Sequence, residues 1–414
     1  MLDIQFIRDN PELVAEKSKQ KGYDVDIQQL LGFDKERREL LQQVEDLRRQ
    51  RNELTAATKG QKPNEEQIAQ GRELRDKLGD IEHKLESIEK EYDILLRAVP
   101  NPAADDVPVG GEADGAEIKQ VGEQTTGGED HLDFATKRDW LDFERGAKVA
   151  GAKFYYLKGD LALLENALTQ YALQFVTGKG FTFMTVPHLV NGRVMAGTGF
   201  APRTSEQSDE YAIENEDLSL IATAELPLTG YHADEIIDEK KLPLLYVGLS
   251  PCYRKEAGTY GKHTRGLFRV HQFNKLEMYA YTLPEQSREM HEKLLALEEE
   301  LWQSLGIPYR VVNIASGDLG APAAKKYDIE YWSPVDGTYR ELTSCSNCTD
   351  YQARNLNIRA RREDGKIETV HTLNGTAVSL ARSLVAVIEH NQTPEGRLRI
   401  PEPLRPFMGG RAEI

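Results

Sequence analysis

Phe268-Arg269-Val270-His271-Gln272-Phe273-Asn274-Lys275-Leu276-Glu277-Met278 alternates in period two. Successive side chains of a strand point to opposite faces, so His271, Phe273, Lys275 and Glu277 share one face. Val270, Leu276 and Met278 take the other, with Gln272 and Asn274 between. One face packs and the other displays a ring among charges. A strand with a solvated face alternates in the same way. A large ring among exposed charges needs a partner, however, and a base held between Phe273 and a guanidinium would supply one.

Upstream, Leu244-Leu245-Tyr246-Val247-Gly248 reads as a strand with Arg254 just beyond it. The link Gly258-Thr259-Tyr260-Gly261-Lys262-His263-Thr264-Arg265-Gly266 combines three glycines with three potential cations. Such a loop can approach a polyphosphate closely, and it also suits a plain surface hairpin. Strand-like alternation recurs at 266–281, 309–314 and 367–373, and helical spacing near 160–178, 284–305 and 376–392. Adjacent strands with few crossover helices predict an α+β fold with an antiparallel or mixed sheet. Neither GxGxxG nor GxxxxGK[ST] occurs, so any nucleotide is held without a Rossmann or P-loop turn.

Residues 30–97 differ in kind. Phe33, Arg37, Leu40, Val44, Leu47, Arg51 and Leu54 alternate in spacings of four and three, as do Leu74, Leu78, Ile81, Leu85, Ile88, Tyr92 and Leu95. Lys59-Gly60-Gln61-Lys62-Pro63-Asn64 interrupts them with a proline that cannot continue a helix. Two heptad helices joined by a turn predict an antiparallel coiled-coil arm reaching roughly 40 Å at 1.5 Å per residue. Residues 48–77 carry eight basic side chains (Arg48, Arg49, Arg51, Lys59, Lys62, Arg72, Arg75, Lys77) against five acidic ones, whereas 78–97 carry three against six. The distal half is the basic half. That suits a grip on phosphates and equally a solvated or protein-binding face, because heptads specify a long helix rather than RNA.

The 414 residues suggest two or three domains. A net charge of −16 opposes indiscriminate nucleic-acid binding, but phosphate affinity depends on local basic surface. Three cysteines (Cys252, Cys345, Cys348) leave one unpaired in any disulfide scheme, which predicts a reducing, cytoplasmic setting. There is no apolar run of membrane-spanning length, and Met1-Leu2-Asp3-Ile4-Gln5 lacks the pattern of a signal peptide. Pro- and Gly-rich residues 101–130 read as a linker with one short strand, between an N-terminal domain (1–100) and a larger C-terminal domain (131–414).

The strand, basic loop and strand ending in Arg-Val-His-Gln-Phe-Asn-Lys-Leu-Glu resemble the second motif of class II aminoacyl-tRNA synthetases. Gly180–Pro187 looks like the first motif, whose proline lies at a dimer interface, and Asn374-Gly375-Thr376 through Arg382 looks like the third. The N-terminal opening and the arm narrow the resemblance to the bacterial-type seryl-tRNA synthetase family, over nearly the whole chain. Small departures, Asn355 and His390-Asn391, touch no proposed catalytic position.

That resemblance implies an antiparallel sheet flanked by helices and a serine–tRNA ligase active as a homodimer. Its substrates would be ATP with Mg²⁺, L-serine and tRNA(Ser), with tRNA(Sec) left open as a second acceptor and neither DNA nor membrane as a partner. It places Arg254 at the α-phosphate and Arg382 over the γ-phosphate, with Lys255 and Glu256 beside the nucleotide. Val270 meets the adenine through its backbone and Phe273 stacks on it. Glu341-Leu342-Thr343-Ser344 contacts ATP, with Glu341 and Ser344 on Mg²⁺. Thr223-Ala224-Glu225 surrounds the substrate ammonium, and Glu277 with Thr376 receives the serine hydroxyl. Leaving such a polar pair unmatched is how a site rejects an analogue lacking the hydroxyl. Thr376 also fits the N-cap of a following helix. Cys345-Ser346-Asn347-Cys348 lacks two further ligands, so no zinc is expected.

Two rivals are weaker. A relative that charges a carrier protein lacks the long arm, and a non-catalytic RNA-binding paralogue would have lost Arg254, Glu277, Glu341 or Arg382, all of which are present.

Overall fold

The computed structural model describes residues 1–57, 64–200, 210–256 and 265–414. Lys59 and Lys62 of the arm, and residues 258–264 of the basic loop, lie outside the described residues. Two compact units meet in sequence at Pro100 and Asn101.

The first unit is helical. Helix α1 (Ile4–Asp9) and α2 (Pro11–Gln20) precede the long α3 (Ile27–Ala57) and α4 (Glu65–Ala98). The expected heptads form the seam: Leu40, Val44, Leu78 and Leu85 are buried with Leu47, Ile81 and Ile88 packed beside them. Each such side chain contributes about 1.5–3 kcal/mol when fully buried. Asn64 starts α4 with a reciprocal cap, its Oδ1 accepting from Gln67 N (2.8 Å) while Gln67 Oε1 accepts from Asn64 N (3.0 Å). The buried Asp34 carboxylate accepts from Arg8 Nη2 and Nε, at 2.7 and 2.8 Å, which ties α1 to α3.

The second unit is built on eight strands: β1 (Ala116–Val121), β2 (Thr182–Thr185), β3 (Leu244–Tyr253), β4 (Gln272–Thr282), β5 (Tyr309–Asn313), β6 (Lys325–Ser333), β7 (Thr338–Thr349) and β8 (His371–Ser379). They lie in the order β1-β5-β6-β7-β8-β4-β3-β2, antiparallel throughout except for the β2–β3 pair. Helices α5 (Gly159–Gly178), α7 (Ser287–Ser304) and α8 (Leu380–His390) pack on one face, and the short α6 (Glu225–Gly230) lies near the site. Leu276, Met278 and Ala280 of β4 enter the main core with Trp302, Tyr309 and Tyr331, while Tyr279 and Tyr281 enter a second core with Ala224, Leu228 and Ile358. The alternation read from the sequence thus separates two cores rather than core from water.

Three expectations shift. The strand begins at Gln272 rather than 266, because Gly266 turns at φ +63° and residues 266–268 form a 3₁₀ turn. His271 therefore leaves the face of Phe273, Lys275 and Glu277; its ring stacks on Phe154 at 5.5 Å and its Nδ1–H reaches Arg254 O at 2.8 Å. Helix α8 starts at Leu380, so Thr376 is mid-strand and caps nothing. Residues 101–121, read as a linker with one strand, pack on the sheet edge: Ala103 and Val107 join Val312 and Leu319 in a small core. Asn101 Nδ2 donates to Pro322 O (2.8 Å) and Cys348 O (2.9 Å), and β1 closes the sheet against β5.

Candidate active site

Strands β4, β7 and β8, the segment between β3 and β4, and the first turn of α8 line an open cavity. Arg254, Glu256, Val270, Phe273, Glu341, Leu342, Thr343, Ser344, Thr376 and Arg382 all line it, though they span nearly 130 residues of sequence. Arg254 follows β3, where its backbone N–H donates to His271 O (3.0 Å) and its Nε–H to Ala222 O (3.4 Å). Its guanidinium stands 5.5 Å from the Phe273 ring centre, in the geometry of a cation over a π-face. Lys255 is exposed and turns instead over Tyr211, 5.6 Å from that ring. Glu256 accepts from Arg269 Nη1 at 2.8 Å.

On the opposite wall Arg382 Nη1 meets Glu341 Oε2 at 3.0 Å, and its guanidinium lies 4.9 Å from the Phe268 ring. Burial pushes the Glu341 carboxyl up, but Arg382 and then Lys326 outweigh it and hold the group down at about 2. Glu341 keeps 39% of its side-chain surface open, so an ionised carboxylate faces the cleft. An adjoining open cleft shares Phe268 and Glu341 and adds Arg269, Arg310, Lys326 and Arg340. Sequence reasoning passed over these cations because each sits alone on a strand or turn.

The second part of the site lies where β4 and β8 pair. Glu277 stands opposite Thr376 in the register, and Thr376 Oγ1 donates to Glu277 Oε2 at 3.3 Å. Lys275, one strand position pair away on the same face, forms an ion pair with Glu277 Oε2; period two revealed the shared face but not the pairing. Gly375 lies between in sequence because a Cβ there would stand 3.0 Å from Glu298 Oε1 and 3.3 Å from Cys345 Cβ. Thr223, Ala224 and Glu225 are buried at the start of α6, with Glu225 N–H donating to Thr223 Oγ1 at 3.2 Å. Glu225 Oε1 accepts from Gln352 Nε2 (2.7 Å) and Asn374 Nδ2 (3.0 Å), neither of which sequence reasoning singled out for this role. Burial first, and then the Glu277 charge, push the Glu225 carboxyl up to about 7. A bound cation would restore its charge.

A base-sized ring faced by one arginine, with a second arginine and a carboxylate opposite, on an antiparallel sheet without a glycine-rich phosphate turn, defines a class II aminoacyl-tRNA synthetase core. Comparison with known proteins agrees: residues 208–391 match the tRNA synthetase class II core domain (G, H, P, S and T), and residues 1–103 match the seryl-tRNA synthetase N-terminal domain. The serine--tRNA ligase of Dictyoglomus turgidum is 46% identical over 419 residues, covering 99% of this chain and 98% of that one. The seryl-tRNA synthetase of Pyrococcus horikoshii, solved in complex with ATP, superposes with a TM-score of 0.90 at 42% identity over 100% of this chain and 99% of that one. The cytoplasmic serine-tRNA ligase of Naegleria fowleri, solved with AMP, gives 0.86 at 34% identity, covering 100% and 98%. This chain belongs to the seryl-tRNA synthetase family.

Proposed function

We propose that the cavity activates serine with ATP and that the residues named from the sequence divide the work. As a serine–tRNA ligase, the chain joins serine to ATP and then transfers the seryl group to tRNA(Ser). The serine carboxylate attacks the α-phosphorus, the bond to the β-phosphate oxygen breaks, and seryl-adenylate and pyrophosphate form. The terminal ribose hydroxyl of the tRNA then attacks the seryl carbonyl and AMP departs. No side chain is needed as a covalent intermediate, so catalysis is positioning and charge neutralisation.

Phe273 and Arg254 hold the adenine and α-phosphate end, and Arg382 closes on the γ-phosphate. Glu225 and Thr223 hold the substrate ammonium, and Glu277 with Thr376 binds the hydroxyl. Glu341 and Ser344 offer hard oxygens, one of them ionised across the working pH range, so the donor set fits Mg²⁺. When bound there, Mg²⁺ would neutralise phosphate charge. We expect no zinc at Cys345-Ser346-Asn347-Cys348, because burial pushes the Cys345 thiol well up, away from the thiolate a metal needs.

We assign tRNA binding through the arm to residues 1–100 and catalysis to residues 131–414, whose sheet is extended at its edge by residues 101–121. A homodimer through the first motif, a cytoplasmic setting and tRNA(Sec) as a second acceptor complete the proposal. No helix among the described residues is long and apolar enough to cross a membrane.

The observation that carries this reading is that Thr376, which donates to the buried Glu277, lines the same cavity as Arg254, Phe273 and Arg382. Pyrophosphate exchange with each amino acid, with and without Mg²⁺, tests it. Exchange that needs both serine and Mg²⁺ is expected. Stronger exchange with alanine or glycine would overturn the Glu277 and Thr376 roles.

A further inference from the structure

A buried chain of hydrogen bonds lies behind the nucleotide wall and meets it at Leu267, which lines the cavity. Leu267 N–H donates to His131 Nε2 at 3.2 Å, so that nitrogen is the acceptor and the proton sits on Nδ1. Nδ1–H in turn faces Glu389 Oε1 at 3.3 Å. The other oxygen of Glu389 accepts from Ser333 Oγ (2.8 Å) and Tyr331 OH (3.1 Å). Side chains of His131 and Glu389 are both 1% exposed. The cluster of Asp130, His131 and Glu389 has the composition of a metal site. The Nε2 lone pair, however, is already spent on the Leu267 amide.

The imidazole also shapes what lies against it. Gly266 turns at φ +63°, and a Cβ on it would stand 2.3 Å from His131 Nε2. Arg265 on the other side pairs with Asp133 at 2.7 Å. The short helix His131–Lys137 therefore grips the end of the basic loop at three successive residues. The next residue, Phe268, lines the cavity and lies under both Arg382 (4.9 Å) and Arg340 (5.3 Å).

We infer that His131, fixed in one tautomer by Glu389, is a positioning residue for ATP: it anchors Gly266 and Leu267 so that Phe268 holds Arg382 in place. The inference rests on the proposed assignment of this cavity to ATP. It concerns the nucleotide alone, because Glu277, Thr376 and Glu225 are held by other partners.

Pyrophosphate exchange on the full chain separates the two. His131→Leu removes the acceptor, and should raise the ATP KM by about tenfold or more while moving the serine KM less than about twofold. His131→Gln offers a carbonyl to the Leu267 amide and should return the ATP KM to within about threefold of wild type. Gly266→Ala pushes on the same contact from the loop side and should reproduce the ATP-selective loss, whether or not the leucine variant folds. An unmoved ATP KM in folded His131→Leu or in Gly266→Ala would overturn the role of His131. So would equal rises for ATP and serine, or a glutamine variant that folds but binds ATP as poorly as Gly266→Ala. Wild-type protein without serine-dependent exchange would instead overturn the functional reading itself.

Discussion

Thr376 Oγ1 donates to Glu277 Oε2 across two paired strands, at 3.3 Å, with both side chains buried. A serine hydroxyl inserted there can donate to the carboxylate and accept from the threonine. Thr376→Val keeps the shape and deletes the donor. It is expected to raise the serine KM and to reduce discrimination against alanine by about tenfold or more, read by exchange with each amino acid. An unchanged serine-to-alanine ratio would place hydroxyl recognition elsewhere.

Glu225 predicts a pH dependence. Its carboxyl is raised to about 7, so it stabilises the fold fully at acid pH and that contribution is lost as pH rises through about 7. The ammonium of serine needs the ionised form. The serine KM of wild type should therefore fall as pH is raised across that value, and the KM of Glu225→Gln should be higher and nearly flat. The stability advantage of the glutamine variant should grow over the same interval, measured by thermal unfolding. A wild-type serine KM independent of pH would refute the assignment.

Phe273 offers its ring opposite the Arg254 guanidinium. Base stacking on an aromatic is worth about 1–3 kcal/mol, so Phe273→Ala should raise the ATP KM by roughly 5- to 150-fold and leave the serine KM much less affected. Phe273→Tyr should retain most of the affinity. Equal losses in the two variants would argue against stacking.

On the arm, Arg48, Arg49, Arg75 and Lys77 pair with neighbouring acids at 2.7, 2.9, 3.1 and 2.6 Å. Arg51 and Arg72 are exposed and form no ion pair among the described residues. Replacing both by glutamine should weaken tRNA acylation and lower its salt slope by about one per arginine, with exchange unchanged. Loss of exchange in that variant would show a structural effect instead.

Much of this was legible because local periodicity survives folding. The heptads of 30–97 became α3 and α4, and the alternation around Phe273 became β4. The strand's true start was hidden, since it depends on how Gly266 turns against His131. The roles of Lys275, Gln352, Asn374 and His271 were hidden for a related reason. Each side chain is ordinary in its own segment and acquires its role only from a partner on another strand or across the site.

The order of residues by itself determined the two helices of the arm and its charge, and that Phe273, Lys275 and Glu277 share a strand face, because the helices and the shared face follow from the 3.6 and 2.0 periods of single elements. Tertiary structure alone decided that β8 pairs with β4 in the register that sets Thr376 against Glu277, and that Asn374 and Gln352 meet Glu225. Register between strands separated by about a hundred residues is fixed by packing of the two cores on either side of the sheet, and a slip of one residue would turn the entire site into the wrong face.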